Sequence, residues 1–166
     1  MHITTAGHDA LRIMIDLALH QKDAPVLRQD ISVRQGISSD YIAQLFGRLH
    51  KAGLVKSVMG PGGGYQLSHS ASQTRVGDII KAIEGPVDLR YCVSPDAKGD
   101  CRQKETCLSH SLWVELSLVI DTYLDGITLE DLRNRSDSLS HIYLAEADSV
   151  REEGNEPGLP PDFPQI

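Results

Sequence analysis

With 166 residues, 40% of them hydrophobic, the chain has material for one core, or for one small domain plus an oligomerisation element, and not for two large independent domains. No run approaches the ~18 apolar residues needed to span a bilayer, and Met1-His2-Ile3-Thr4 lacks the basic and apolar stretches of a secretory leader, so a cytoplasmic protein with no membrane partner is expected. The formal net charge of −7 argues against a polyanion partner only until the chain is divided at Tyr91: residues 1–91 carry ten Lys/Arg against eight Asp/Glu, residues 92–166 six against fifteen, so the first part is the better partner for a polyanion.

Residues 8–20 read as an amphipathic helix, because Ala10, Leu11, Met14, Ile15 and Ala18 recur at three- and four-residue steps and Leu17 widens the stripe. Pro25 interrupts, and a short helix over about 28–34 ends at Gly36, a residue free to take the left-handed turn. Ser38 is placed to cap the next helix, whose apolar face is Ile42, Leu45, Phe46 and Leu49. Two short helices joined by a glycine-containing turn, after a longer packing helix, make a helix-turn-helix arrangement.

Leu54-Val55-Lys56-Ser57-Val58 alternates as a strand does, and Tyr65-Gln66-Leu67 is its expected antiparallel partner. Gly60-Pro61-Gly62-Gly63-Gly64 between them cannot be helical, and its glycines let backbone approach a surface without side-chain interference. A hairpin directly after a helix-turn-helix is a wing. Thr74 is then expected to cap a helix carrying Val76, Ile79, Ile80 and Ile83 inward, stopped by Gly85-Pro86.

The only three cysteines, Cys92, Cys101 and Cys107, follow with His110 inside nineteen residues. Thiolates and an imidazole are the ligands of zinc and of iron-sulfur clusters. The gaps of eight, five and two residues contain no tight Cys-x-x-Cys knuckle of the kind zinc sites favour, and the polar, turn-rich loop has little apolar reason to order alone, so a cluster fits it better. Structural zinc, or three unrelated thiols and a solvated histidine, are the alternatives. An odd number of cysteines in a cytoplasmic chain speaks for reduced thiols and not a disulfide framework.

From about 108 to 125 runs the longest helix, with Leu112, Leu116, Val119, Ile120, Tyr123 and Leu124 on one side and Trp113 on its flank; this stripe exceeds what a small winged domain needs and is read as a dimer interface. Gly126 ends it, and Thr128 and Asp131 stand at capping-box separation in a further helical turn. The expected fold is mostly α with a small β-hairpin, a winged helix-turn-helix domain plus a long dimerisation helix. It divides into a DNA-binding domain with its linking helix over 1–86, a cluster-binding loop over 87–110, the dimerisation helix and short turn over 111–135, and an acidic, proline-bearing tail over 136–166 that is expected to be disordered.

If Ile42, Leu45, Phe46 and Leu49 point inward, a 100° step per residue puts Asp40, Gln44, Gly47 and Lys51 on the opposite face, with Ala43 and Arg48 flanking it. That face suits a major groove: Gln44 can pair with an adenine edge, Arg48 or Lys51 can reach guanine or phosphate. Ser38, Ser39 and Tyr41 at the helix start belong to the same candidate surface. Arg28, Lys56 and the amides of Gly60, Gly62 and Gly63 are candidates for phosphate contacts that set register without reading sequence.

Several stretches resemble the IscR-like iron-sulfur regulators of the Rrf family, which include the nitric-oxide sensor NsrR. They are Asp30-Ile31-Ser32 with Gln35-Gly36-Ile37-Ser38, then Tyr41, Gln44-Leu45-Phe46, Arg48-Leu49, Lys51 with Gly53-Leu54-Val55, and Gly60-Pro61-Gly62-Gly63-Gly64-Tyr65. Cys107-Leu108-Ser109-His110 with Leu112-Trp113, and Ile127-Thr128-Leu129, extend the likeness over roughly residues 1–135.

The resemblance implies a homodimeric transcription factor on a partly palindromic double-stranded DNA operator, with no enzymatic activity, switched by its cluster: 2Fe-2S first, 4Fe-4S as the alternative. It implies Cys92, Cys101, Cys107 and His110 as ligands, with His8 of the partner subunit as the alternative fourth. Three departures stand out: the Cys92–Cys101 gap is longer than usual, Met59 precedes the wing glycines where a basic residue often reaches DNA, and Ala43 replaces an acidic residue that restricts base choice. A zinc-stabilised repressor, or a small redox protein without DNA binding, are the rival readings; the wing has no purpose in the latter.

Overall fold

Thr4 begins the first helix with an extended backbone and a side-chain oxygen that accepts from the Gly7 amide at 3.5 Å, and α1 runs Thr5–His20. This computed structural model describes residues 3–22, 24–60, 62–86, 89, 93 and 106–135; Cys92, Cys101 and the tail expected over 136–166 lie outside them. Residues Met1–Arg133 form one compact unit, and a second unit takes up Asn134–Ile166.

The elements follow in the order α1, α2 (Arg28–Gln35), α3 (Ser39–Lys51), β1 (Val55–Val58), β2 (Gly64–Leu67), α4 (Val76–Glu84) and α5 (Leu108–Asp125), with residues 129–135 also helical. Gly36 ends α2 at φ 65°, the left-handed turn for which glycine carries no steric penalty. Ser38 caps α3 by accepting from the Tyr41 amide at 3.3 Å. The strands pair antiparallel, Val55 opposite Leu67 and Val58 opposite Gly64.

The core gathers one face from each of α1 to α4. Ala10, Ile13, Met14 and Leu17 of α1 meet Ile31 of α2, Ile42, Leu45, Phe46 and Leu49 of α3, and Ile79 and Ile83 of α4. Ile13 is fully buried while Leu11 and Ile15, expected inward, sit at the margin. The helix packs on two sides, so its apolar arc is rotated from the one counted on spacing alone.

Thr74 does not cap α4. The capping position is Arg75, without a side-chain hydrogen bond, and the Thr74 hydroxyl is buried and donates to the Ser70 carbonyl at 3.0 Å. The reason lies after α5: Val76 N–H donates to the Ile127 carbonyl and Leu129 N–H to the Thr74 carbonyl, so the returning chain occupies the cap site and buries Leu129 completely in the core. The Thr128–Asp131 box closes as expected, with Thr128 N–H donating to the Asp131 carboxylate at 2.9 Å and Asp131 N–H to the Thr128 hydroxyl at 3.1 Å.

A buried ion pair locks α1 to α2. Asp16 receives Arg34 at 2.6 and 3.0 Å and the Gln35 amide at 2.8 Å. Burial alone would raise the Asp16 carboxyl, but the Arg34 and Gln35 hydrogen bonds and the charges of Arg34 and His20 outweigh it and hold the group below its ordinary value.

Candidate nucleic-acid interface and metal loop

On α3 the inward residues occupy one arc, which leaves Asp40, Gln44, Gly47, Arg48 and Lys51 exposed on the other, as helical periodicity requires. Gly47 has open space where a side chain would stand, so any surface meeting α3 there meets backbone. Asp40, Gln44 and Lys51 are presented to solvent in the manner a groove-reading helix needs.

Three of the expected contacts have a second duty, and a fourth, Ser39, is turned inward. Ser38 spends its hydroxyl on the helix cap, the Ser39 Oγ is buried without a partner among the described residues, and Tyr41 packs half-buried against the core. Arg48 donates through Nη2 to the Ile83 carbonyl at the end of α4. These side chains set the pose of α3, while Gln44 and Lys51 stand free to reach outward.

The wing is built rigidly beneath an open tip. Tyr65 exchanges two backbone hydrogen bonds of 2.9 Å with Val26, and its ring stacks on Phe46. Gly60 and Gly62 take φ of 103° and 78°, values an L side chain resists, and Gly63 N–H closes the turn onto the Gly60 carbonyl at 2.9 Å. Any Cβ on Gly63 would run into the Val58 and Gly60 carbonyls, which explains why that position is glycine. Met59 beside it is 94% exposed, and Lys56 is exposed on β1.

Arg28 is half-buried at the start of α2. Lys22, passed over on the sequence, lines a depression beside the wing together with His20, Arg34 and Gly62. Its only signal in the chain was its charge; the fold supplies the neighbours.

Cys107 stands at the N-cap of α5, with its thiol 3.2 Å from the Ser109 hydroxyl. The Ser109 side chain and amide, with the His110 amide, hold this thiol below its ordinary value against a small desolvation cost. His110 lies on the same turn, and its Nδ1 is buried with no partner among the described residues. Those residues contain no assembled group of three metal-ligating side chains, Cys92 and Cys101 being outside them. His8, the alternative ligand, is exposed in the first turn of α1.

Beyond His110, α5 buries nothing completely. The expected stripe divides in two: Ile120 and Leu124 are half-buried, while Leu112, Val119 and Tyr123 are 55%, 61% and 64% exposed, continuous with Leu108 and Leu116 at heptad-like steps. Lys81 fixes the end of the helix by pairing with Asp125 at 2.9 Å and Asp121 at 3.5 Å, and Arg75 donates to the Asp125 carbonyl at 2.8 Å. No helix among the described residues is long and apolar enough to cross a membrane.

The family model described as Rrf2, iron-dependent transcriptional regulator, matches residues 3–135. An HTH-type transcriptional regulator of Azotobacter vinelandii is 47% identical over 148 residues, covering 88% of this chain and 87% of its own. The HTH-type transcriptional regulator IscR of Yersinia enterocolitica is 44% identical over 157 residues, covering 95% and 94%. Among solved structures, T. potens IscR aligns at TM-score 0.65 with 35% identity over 82% of this chain and 88% of its own. CymR, the global cysteine regulator of B. subtilis, aligns at 0.65 with 32% identity over 81% and 98%. With its helix-turn-helix, its wing and this breadth of likeness, the chain belongs to the Rrf2 family and is a DNA-binding transcriptional regulator of the IscR type.

Proposed function

We propose that two copies of this chain pair along the exposed face of α5 and bind a partly palindromic operator in the cytoplasm, and that an iron-sulfur cluster on Cys92, Cys101, Cys107 and His110 switches that binding. The observation that carries the reading is the start of α5. A solvent-facing thiol of lowered pKa and a buried, unpartnered imidazole nitrogen share one turn, and the unpartnered apolar face begins there. That donor set fits a cluster: thiolate is the ligand form of cysteine, and an orphaned imidazole nitrogen is the form a metal takes.

When bound, the cluster supplies a redox-sensitive, labile link among residues far apart in sequence, 2Fe-2S being the first choice and 4Fe-4S the second. The protein's own residues do the rest. Cys107 and His110 anchor the loop to the first turn of α5; Leu112, Val119 and Tyr123 hold the two copies together; Gln44 reads bases; Lys51, Lys56, Arg28 and the wing amides of Gly60, Gly62 and Gly63 grip phosphates. The spacing of the two α3 helices then sets which half-site separation is bound. His8 of the partner subunit is the alternative to His110, and would tie the loop of one protomer to α1 of the other.

Protein isolated without oxygen and assayed for iron, acid-labile sulfide and zinc tests this. The expectation is a coloured protein with iron and sulfide, and a Cys101→Ala variant that is colourless yet folded and dimeric. Zinc without iron would make the site a structural zinc site, and a Cys101→Ala variant that unfolds would make its metal a structural one.

A further inference from the structure

The final turn of α4 is held from two sides. Glu84 Oε1 accepts the Thr4 amide at 3.2 Å, the Thr4 hydroxyl at 2.6 Å and the Gly7 amide at 3.0 Å, so the first turn of α1 takes its main acceptor from a carboxylate far away in the chain. Thr4's own cap to Gly7, at 3.5 Å, is the weaker contact. A negative group at the positive end of a helix is favourable, and these amides have no intrahelical partner.

One residue earlier, the Ile83 carbonyl at the negative end of α4 receives the Arg48 guanidinium from α3. The recognition helix is thus tied to Ile83 and the first helix to Glu84. Gly7 is what permits the second tie, because a Cβ there would overlap the Glu84 carboxylate.

The chain leaves this turn through Gly85, at φ 85°, and enters the loop carrying Cys92. Arg48 lies one turn from Gln44 and three residues from Lys51 on α3, and Gly7 is next to His8 on α1. Anything that repositions the start of that loop acts on Ile83 and Glu84 first.

We infer that Glu84 is a positioning residue that transmits the state of the cysteine loop to the recognition helix, by clamping the end of α4 against α1 while Ile83 holds Arg48. This rests on the cluster-switch reading. Among the described residues Glu84 bonds to Thr4 and Gly7, and it acts by keeping the end of α4 in register with α1 and α3.

The test compares cluster-loaded and cluster-free protein on a duplex selected by the loaded wild type from a random-sequence pool, with a scrambled duplex as reference. The ratio of the two operator affinities measures the coupling, which between two communicating sites commonly amounts to about 5–150-fold. Glu84→Ala is expected to lower that ratio at least about fivefold, with cluster absorbance, dimer mass and scrambled-duplex affinity unchanged. Glu84→Gln, which keeps an oxygen to accept from Thr4 and Gly7, retains it.

Gly7→Ala keeps the carboxylate and improves the intrinsic helix preference of α1, yet is expected to lose the ratio too, because the new methyl displaces Glu84. It decides the matter should Glu84→Ala fold poorly. Folded Glu84→Ala and Gly7→Ala proteins with the wild-type ratio would overturn the inference and leave the switch standing. A wild-type ratio of one would overturn the switch and this inference together.

Discussion

Phe46 of α3 and Tyr65 of β2 stack with ring centroids 4.1 Å apart and 18° between their planes. The stack joins α3 to the wing, a hairpin of only two strands of four residues that would not hold alone. Removing the fully buried partner, Phe46→Ala, should cost about 3–5 kcal/mol in urea unfolding. Tyr65→Leu keeps apolar bulk and loses the stack, so about 1 kcal/mol is expected, with operator binding weakened more than melting suggests.

Gln44 and Lys51 share the exposed face of α3 but should fail differently. Gln44→Ala should weaken operator binding by about 1–3 kcal/mol and leave scrambled duplex unaffected, since a bidentate base contact carries discrimination. Lys51→Ala should weaken both duplexes alike and reduce the slope of log affinity against log salt by about one. Fluorescence anisotropy over a salt series separates them; unchanged selectivity in Gln44→Ala would mean that α3 does not read bases through Gln44.

Stability should fall in acid through Asp16. Its folded pKa is depressed, so the Asp16–Arg34 pair contributes fully above the unfolded carboxylate value of about 4 and is lost as pH drops through the folded value. Asp16→Asn should cost about 3 kcal/mol near neutrality, the lower end for a broken buried pair because Arg34 is partly solvated, and the gap to wild type should narrow as the pH falls below ~4. Urea midpoints at pH 7 and pH 3 check this, and a gap independent of pH would contradict it.

Charge placed on the open face of α5 should separate the copies. Val119→Glu is expected to raise the dimer dissociation constant about a hundredfold, near 3 kcal/mol, by burying a carboxylate in an apolar seam. Sedimentation reads the result. Ile120, half-buried beside this stripe, should when changed to Ala affect melting more than mass.

The helical faces were legible because periodicity carries them: Ile42, Leu45, Phe46 and Leu49 are all buried, and the Thr128–Asp131 box forms from local spacing alone. What escaped depends on the chain meeting itself at a distance. Thr74 looks like a cap until Leu129 returns to take its carbonyl, and Arg48 flanks the outward face yet is long enough to reach Ile83. Glu84 on Gly7 is of the same kind, since nothing local in either segment signals the other. At the cysteine loop the spacing marked Cys92, Cys101, Cys107 and His110 as candidate ligands, and geometry reaches only Cys107, His110 and the alternative His8 among the described residues.

Operator affinity measured without oxygen on matched cluster-loaded and cluster-free samples, at one salt concentration, tests the central claim most directly. At least a fivefold difference on a duplex selected by the loaded protein is expected, with scrambled duplex bound equally by both. Identical operator affinities for the two samples would contradict the account.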